Sequence, residues 1–369
     1  MAADQYAPAV PRTWRDRLIL LAMMAAVPGA AAVSGCGATG AASGSAPTGA
    51  GSRPAVARTD VPEPATAPAL DGKPAGVVVP MPGAPEGLTV DVPGGILAVG
   101  VRNPDGVALV STATGQVRML VRLPGAPRHL QLAGEAGPVL VPAEQARQLF
   151  QIALPSGRVI ADTRVGHQPH DAAAVGQTIF VGNELSNTVS LVRDGKQVAV
   201  VPAPLQPGGV ASNGEYVVVV GVRGRKIEAY DPDGRSLGTA PVGVGPTHVR
   251  ASPAGLFYVA DTEGGAVIVF RVTASGPRQV GEVGTEAGTP YGIAIDGRRG
   301  LVYVTLTATN RLESFRIKGN GLVPAQTWPT VRQPNDVAVD AATGMVFVAG
   351  TDGSQLQLIS PGTPGSPAS

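Results

Sequence analysis

Seven positions along the chain hold only glycine, histidine or aspartate, and each lies two residues after a proline. They are Gly87, His129, Asp171, Gly209, His248, Gly292 and Asp336. Imidazole and carboxylate groups together can bind a divalent metal ion, and such an ion could polarise a substrate or activate water. If the fold brings these positions together, their side chains predict a site for a divalent metal cofactor. The candidate ligands are His129, His248, Asp171 and Asp336.

Further polar residues beside these four are candidates for binding a small ligand at the same place. They are His170, Arg250, Tyr291 and Asn335. Among them, Arg250 is the natural contact for an anion, because its guanidinium forms paired hydrogen bonds. The alternative interpretation is structural: histidine and aspartate without a fixed spacing are a weak metal signal, and polar groups at the mouth of a channel can satisfy one another. No residue is assigned a catalytic role.

The prolines that precede the seven positions mark an internal repeat. They are Pro85, Pro127, Pro169, Pro207, Pro246, Pro290 and Pro334, spaced 38 to 44 residues apart. That spacing is the length of one β-propeller blade. Within each unit an alternating strand is followed by a valine-rich strand and then by further strands, separated by turns. The sequence therefore predicts an all-β, seven-bladed β-propeller with four-stranded blades, in which equivalent positions meet around one central channel.

Glycines mark the turn between the third and fourth strands of six units, where a tight hairpin requires positive φ. They are Gly115, Gly157, Gly195, Gly234, Gly276 and either Gly319 or Gly321. The seventh unit has no fourth strand, because after residues 356–359 it passes into the C-terminal tail. Upstream of the first unit, residues 77–81 form a strand-like run with no partner. Pairing this N-terminal strand with the last unit completes the last blade and predicts a closed ring without an exposed sheet edge.

Short motifs at the second strands carry a resemblance to a known repeat family. They are Phe180-Val181-Gly182-Asn183, Tyr258-Val259-Ala260-Asp261, Tyr303-Val304-Thr305-Leu306 and Phe347-Val348-Ala349-Gly350. Residues 77–360 resemble the YVTN β-propeller repeats of secreted and surface proteins of bacteria and archaea, although only the third unit keeps the signature asparagine, Asn183. The resemblance implies the propeller architecture and does not imply an activity.

The N-terminal residues have the pattern of an export signal. Three arginines, at positions 12, 15 and 17, precede an uncharged run at 18–33, as in the charged and apolar parts of a secretory signal. Val33-Ser34-Gly35-Cys36 then resembles the lipobox of bacterial lipoproteins, which implies that Cys36 is lipidated and becomes the mature N-terminus. The alternatives are an ordinary signal peptide with an incidental cysteine, or an uncleaved transmembrane helix.

Composition divides the chain into four segments. Residues 1–35 form the signal peptide, and residues 36–75, rich in Ala, Gly, Ser, Thr and Pro, are predicted to be a disordered linker that begins with the lipidated cysteine. Residues 76–360 form the propeller, and residues 361–369 are predicted to be a disordered tail. The lipid would anchor the protein to the cell membrane, with the propeller on the extracytoplasmic face.

Charge argues against one class of partner. Without residues 1–35 the chain has 25 basic and 25 acidic residues, and the sequence has no basic stripe of the kind that binds nucleic acid. We expect a non-catalytic binding or scaffold module for an envelope protein or a small ligand, which would bind on a propeller face. The alternative is a propeller enzyme of the lyase or lactonase/hydrolase type that uses a divalent metal at the central channel.

Overall fold

A computed structural model of the protein describes residues 63–368. Within that range the chain forms 29 β-strands and no helix, which confirms the all-β prediction. No helix in the described part of the chain is long and apolar enough to span a bilayer. The signal peptide, the lipobox and Cys36 lie outside the described residues and stay predictions.

The strands form seven antiparallel sheets, which are the blades of the propeller. In chain order they are β1 Val77–Pro80, β2 Ala84–Asp91, β3 Ile96–Arg102, β4 Gly106–Ser111, β5 Val117–Arg122, β6 Gln131–Leu132, β7 Val139–Ala143, β8 Gln148–Ala153, β9 Arg158–Arg164, β10 Pro169–Val175, β11 Thr178–Asn183, β12 Thr188–Arg193, β13 Lys196–Pro202, β14 Pro207–Ser212, β15 Val217–Gly221, β16 Lys226–Tyr230, β17 Ser236–Pro241, β18 Pro246–Ala251, β19 Leu256–Asp261, β20 Ala266–Thr273, β21 Gly276–Gly284, β22 Pro290–Asp296, β23 Leu301–Leu306, β24 Arg311–Lys318, β25 Gly321–Pro329, β26 Pro334–Asp340, β27 Met345–Gly350, β28 Gln355–Ile359 and β29 Ser366–Pro367. Blades 1 to 6 begin with β2, β6, β10, β14, β18 and β22, and blade 7 consists of β26, β27, β28 and β1.

The second strand of every blade forms at a predicted valine-rich run, as expected for β-branched residues on a pleated, buried surface. The predicted turn glycines adopt positive φ in six blades. They are Gly115, Gly157, Gly195, Gly234, Gly276 and Gly319. In blade 6 the structure therefore selects Gly319, the first of the two glycines that the sequence left open.

Strands from opposite ends of the propeller close the ring, as the sequence predicts. β1 pairs with β28 so that Val77 lies opposite Leu358 and Val79 lies opposite Leu356. Val79 also packs against a cluster that includes Leu97 of blade 1 and Phe347 of blade 7. Closure thus covers the last sheet edge and joins the first blade to the last.

The core lies between neighbouring blades, where the third residue after each opening proline is buried. These residues are Leu88, Leu130, Ala172, Val210, Val249, Ile293 and Val337. Burying one such aliphatic side chain contributes about 1.5 to 3 kcal/mol for the larger members of the set. Apolar contacts therefore hold the blades together, and the polar residues at the axis are not needed as the main source of stability.

Residues 63–75 differ from the predicted disordered linker. They lie against the propeller, with Ala67 buried. The Gln333 amide donates to the Ala65 carbonyl at 2.9 Å and accepts from the Ala67 amide at 2.8 Å, and Arg311 pairs with Asp71 at 2.9 Å. Composition measures what a segment can bury by itself, whereas here the propeller supplies the hydrogen-bond partners of the segment's backbone.

Residues 361–368 also differ from the predicted disordered tail. β29 pairs with β25 as a fifth strand of blade 6. Trp328 Nε1 donates a hydrogen bond to the Thr363 carbonyl at 3.1 Å. An edge strand offers unpaired backbone groups, so even a polar, proline-containing segment finds partners there.

Candidate metal centre

A bulge at the start of the inner strands determines which side chains reach the axis. In β2, β10, β14, β18, β22 and β26 the register shifts directly after the opening proline. The irregularity re-aims the strand, so the first side chain after the proline also enters the channel. Tyr291 of blade 6 shows this, because its hydroxyl meets Arg128 of blade 2 across the axis at 3.3 Å. Strict alternation of side chains along the strand predicts that the first residue after the proline lies only at the rim of the channel.

The three glycines of the predicted ring are required by close packing of the blades. At Gly87, Gly209 and Gly292 an added Cβ would lie 2.9 Å or less from a backbone atom of the next blade. No side chain fits there, because real Cβ atoms do not approach backbone so closely. These positions therefore carry no chemistry and allow the inner strands to converge.

The two aspartates of the ring tie neighbouring blades together. Asp171 Oδ2 accepts a hydrogen bond from the Val210 amide of blade 4 at 3.1 Å. Asp336 Oδ2 accepts one from the Leu88 amide of blade 1 at 2.8 Å. In both cases the donor is the third residue after the next opening proline, so one device joins blade 3 to blade 4 and blade 7 to blade 1.

Of the four predicted metal ligands, the two histidines come together and the two aspartates do not join them as ligands. Asp171 accepts hydrogen bonds from Gln131 at 2.9 Å and from Arg250 at 3.3 Å. Asp336 Oδ2 lies 4.0 Å from His129 Nδ1, the ring nitrogen that faces away from His248. The aspartates are thus engaged in hydrogen bonds around the site.

Three histidines converge at the axis: His129, His170 and His248. The ring centroid of His129 lies 4.1 Å from that of His248 and 5.0 Å from that of His170. His129 Nε2 and His248 Nε2 are 2.8 Å apart. One nitrogen of each ring lies within 4.8 Å of the others, and all three side chains are buried. The sequence analysis placed His170 among the residues for a small ligand. In the structure His170 lies with His129 and His248, where the sequence analysis expected the aspartates.

Nδ1 of each ring is turned towards an oxygen atom. His248 Nδ1 lies 2.9 Å from the Tyr291 carbonyl, which can only accept, so Nδ1 carries the proton and Nε2 the lone pair. His170 Nδ1 lies 3.4 Å from Glu184 Oε2, and His129 Nδ1 faces Asp336. Histidines that bind metals usually direct their second nitrogen to a carboxylate or carbonyl oxygen in this way.

Burial holds two of these histidines in the neutral form. It lowers the pKa of His129 and His248 well below the ordinary value, and the positive charges of Arg128 and Arg250 lower both further. A neutral imidazole keeps the lone pair that a metal ion needs. Both imidazoles are therefore in the neutral form that can bind a metal ion.

Two glutamates that the sequence analysis missed face His170. Its Nδ1 lies 3.4 Å from Glu184 and 3.8 Å from Glu144. Burial alone would raise the pKa of Glu184, but the contact with His170, the hydrogen bond from Gln206 and the charge of Arg128 lower it to about 2. Both glutamates directly follow the second strand of their blade, so comparing that position across the repeats would have found them.

Glu144, His170 and Glu184 are themselves close enough to hold a metal ion. Their carboxylates are already engaged, however. Glu184 accepts hydrogen bonds from Gln168 at 2.8 Å and from Gln206 at 3.0 Å, and Glu144 accepts one from Arg102 at 3.4 Å. We therefore take the three histidines as the candidate ligands and the glutamates as groups that orient His170.

The remaining predicted ligand-binding residues are bound within the protein. The Tyr291 hydroxyl accepts a hydrogen bond from Arg128, and its ring stands edge-on to His248 with centroids 4.3 Å apart. Asn335 contacts Glu86 at 3.5 Å and Gln333 at 3.1 Å. Arg250 binds Asp171, as described above. Tyr291 therefore belongs to the wall of the histidine cluster, whereas Asn335 lies in the surrounding polar network.

The two mouths of the channel differ. On the histidine side, the cavity next to His170, His248 and Tyr291 has a volume of about 10 Å³, and Glu63 of the N-terminal segment forms part of its wall. Such a space accommodates about one water or ion. At the other mouth a cavity of about 230 Å³ is lined by Gln131, Arg250 and apolar residues of the inner strands.

Comparison with known proteins shows the fold. No family model matches the chain, and no curated protein is similar to it in sequence. Among solved structures, hydrazine synthase of Kuenenia stuttgartiensis has a TM-score of 0.65 at 15% identity, covering 78% of this chain and 98% of that one. A chain of the mitotic checkpoint complex has a TM-score of 0.66 at 14% identity, covering 82% and 97%. Virginiamycin B lyase of Staphylococcus aureus has a TM-score of 0.63 at 13% identity, covering 77% and 98%. At these identities the likeness shows a β-propeller and no shared activity.

Proposed function

We propose that the protein is an extracytoplasmic β-propeller binding module whose central channel holds a divalent metal ion of the zinc class on His129, His170 and His248. The observation that carries the proposal is the common orientation of the three rings. Each directs Nδ1 to an oxygen atom, and each contributes a nitrogen to one buried cluster. Three histidines are an established ligand set for zinc.

The hydrogen bonds of the channel are incomplete without such an ion. His129 Nδ1 and His170 Nδ1 are buried and make no hydrogen bond. Because His248 Nε2 carries a lone pair, the 2.8 Å contact requires a proton on His129 Nε2, and His129 Nδ1 is then a buried lone pair without a hydrogen-bond donor. A metal ion held by these imidazoles would remove this mismatch, because His129 would then carry its proton on Nδ1, on the side of Asp336.

The place of the protein in the cell is part of the proposal. Arg12, Arg15, Arg17 and the lipobox-like residues 33–36 support export and lipidation at Cys36, and residues 77–360 keep their likeness to YVTN-type repeats of secreted proteins. The partner would be an envelope protein or a small ligand on a propeller face. The likeness in fold to a chain of the mitotic checkpoint complex, which is an assembly, supports a protein ligand.

A metal-dependent lyase or hydrolase is the second candidate, and one observation favours it. Three nitrogen ligands leave a coordination position open, as in catalytic zinc sites. Arg128 and the Tyr291 hydroxyl lie on the same side as His170, in the wall of the small cavity. Burial raises the pKa of Tyr291, so the hydroxyl stays protonated and can donate to a bound oxygen.

Metal analysis of the purified full-length protein tests the proposal. We expect about one divalent ion per chain after zinc is added and free metal removed, and loss of that ion in His129→Ala, His170→Ala and His248→Ala. His167→Ala is the matched control, because His167 is exposed and is the one remaining histidine of the chain. Retention of zinc in all three channel variants, or equal loss in the control, would contradict the proposal.

A further inference from the structure

A second cavity lies between blades 6 and 7, away from the channel. It has a volume of about 520 Å³. We call it the blade 6–7 groove and define it by Arg299, Tyr303, Arg316, Lys318 and Trp328. Residues 360–361 of the C-terminal segment complete its wall. No function has so far been assigned to these residues.

The charge of the groove is entirely positive. Its lining includes Arg299, Arg316 and Lys318, and no acidic side chain. Arg299 is fixed in place by Asp296 at 2.9 Å and by the Ala341 carbonyl at 3.0 Å. Arg316 and Lys318 are exposed and form no ion pair within residues 63–368. Unpaired cations beside a concave surface attract anions.

An aromatic wall stands next to these cations. The rings of Tyr303 and Trp328 are 6.3 Å apart, and both side chains are largely buried. Trp328 is held by its hydrogen bond to Thr363. Tyr303 lines the groove, and its hydroxyl makes no hydrogen bond with any described residue. Burial and the charge of Asp296 raise its pKa to about 12, so the hydroxyl stays a donor at neutral pH.

We propose that the blade 6–7 groove binds a small organic anion that joins a flat apolar ring to a carboxylate, sulfonate or phosphate group. The ring would lie against Tyr303 and Trp328, and the acid would pair with Arg316 and Lys318 and accept a hydrogen bond from the Tyr303 hydroxyl. Apolar walls with a few fixed polar groups are typical of small-molecule sites. The site is separate from the histidine cluster, so each proposal can fail without the other.

Energy transfer from Trp328 to 8-anilinonaphthalene-1-sulfonate tests this site, because the probe is an aromatic anion that absorbs tryptophan emission. The full-length Trp14→Phe protein is used, which leaves Trp328 as the one tryptophan. We expect saturable transfer with one class of site. The Arg316→Glu/Lys318→Glu variant should bind the probe about tenfold or more weakly, because two charge-assisted contacts are lost, and Tyr303→Phe should bind it about threefold more weakly.

A charge-matched control separates a built site from general attraction. Arg118 and Arg122 are exposed on β5 of blade 1, so Arg118→Glu/Arg122→Glu changes the net charge equally at a distant surface. This variant should bind the probe like the parent protein. Absence of saturable transfer, equal weakening in the two charge-reversal variants, or equal binding of a cationic aminonaphthalene would overturn the proposal.

Discussion

At the scale of single residues, a different physical reason explains the glycines, the aspartates and the histidines of the ring. The glycines leave room for the next blade, and the aspartates accept amide hydrogen bonds from it. Only the histidines point their functional atoms at one another. The proposed metal site therefore uses the two histidines of the ring together with His170, and the geometry of the propeller explains the other five ring positions.

Asp336 supplies a prediction about pH at this scale. Burial raises its pKa from 3.8 to about 7, although Arg250 and two backbone amides oppose the shift. The folded protein therefore holds this proton at pH values where the unfolded chain has released it. The stabilising contribution is complete below about pH 4 and is lost as the pH rises through 7. In the metal-free protein, wild type should lose stability relative to Asp336→Asn between pH 5 and 8, by on the order of a few kcal/mol.

Urea unfolding in the presence of a chelator measures this difference. Asparagine keeps an oxygen that can accept from the Leu88 amide, so the tie to blade 1 persists in the variant. Comparing the two proteins at each pH cancels the titration of all other groups. A difference in unfolding free energy that does not change with pH would show that Asp336 is not held neutral.

At the scale of elements, the strands were predictable and the channel only in part. The spacing of the prolines and the alternation of apolar and polar residues in 77–360 predict the blades. They do so because the residues that pack between blades must be apolar. The bulge after six of the seven prolines is a backbone irregularity with no side-chain period, so alternation could not reveal that His170 reaches the axis. His129 and His248 obey the simple pattern and were found.

The two segments predicted to be disordered illustrate a second limit of sequence reasoning. Low apolar content does prevent residues 63–75 and 361–368 from forming a core of their own. Their order comes instead from partners on the propeller, such as Gln333 for the first segment and β25 for the second. The composition of a segment cannot predict hydrogen-bond partners that lie far away in the sequence.

At the scale of the whole molecule, closure of the ring sets the context of the site. β1 and β28 bring the two ends of the propeller together, so the axis is enclosed by seven inner strands. The N-terminal segment then runs over the histidine side of the channel, where Glu63 lies 3.7 Å from Arg128.

The predicted lipid anchor is tested on intact cells. Cys36→Ala removes the thiol that would be acylated, so the protein should move from the membrane fraction to the medium or the soluble envelope fraction. Wild type expressed in parallel is the control, and blocking lipoprotein signal processing with globomycin should cause its precursor to accumulate. Unchanged membrane retention of the variant would count against lipidation and would leave the channel proposal untouched.

Anomalous diffraction at the zinc absorption edge tests the central claim most directly. Crystals of the zinc-loaded protein should give one strong peak on the propeller axis, about 2.0 to 2.1 Å from one nitrogen each of His129, His170 and His248. His170→Ala crystals should lack it. Crystals of the zinc-loaded protein that give no anomalous peak at the axis would contradict the three-histidine centre. A peak between Glu144 and Glu184 would contradict it as well.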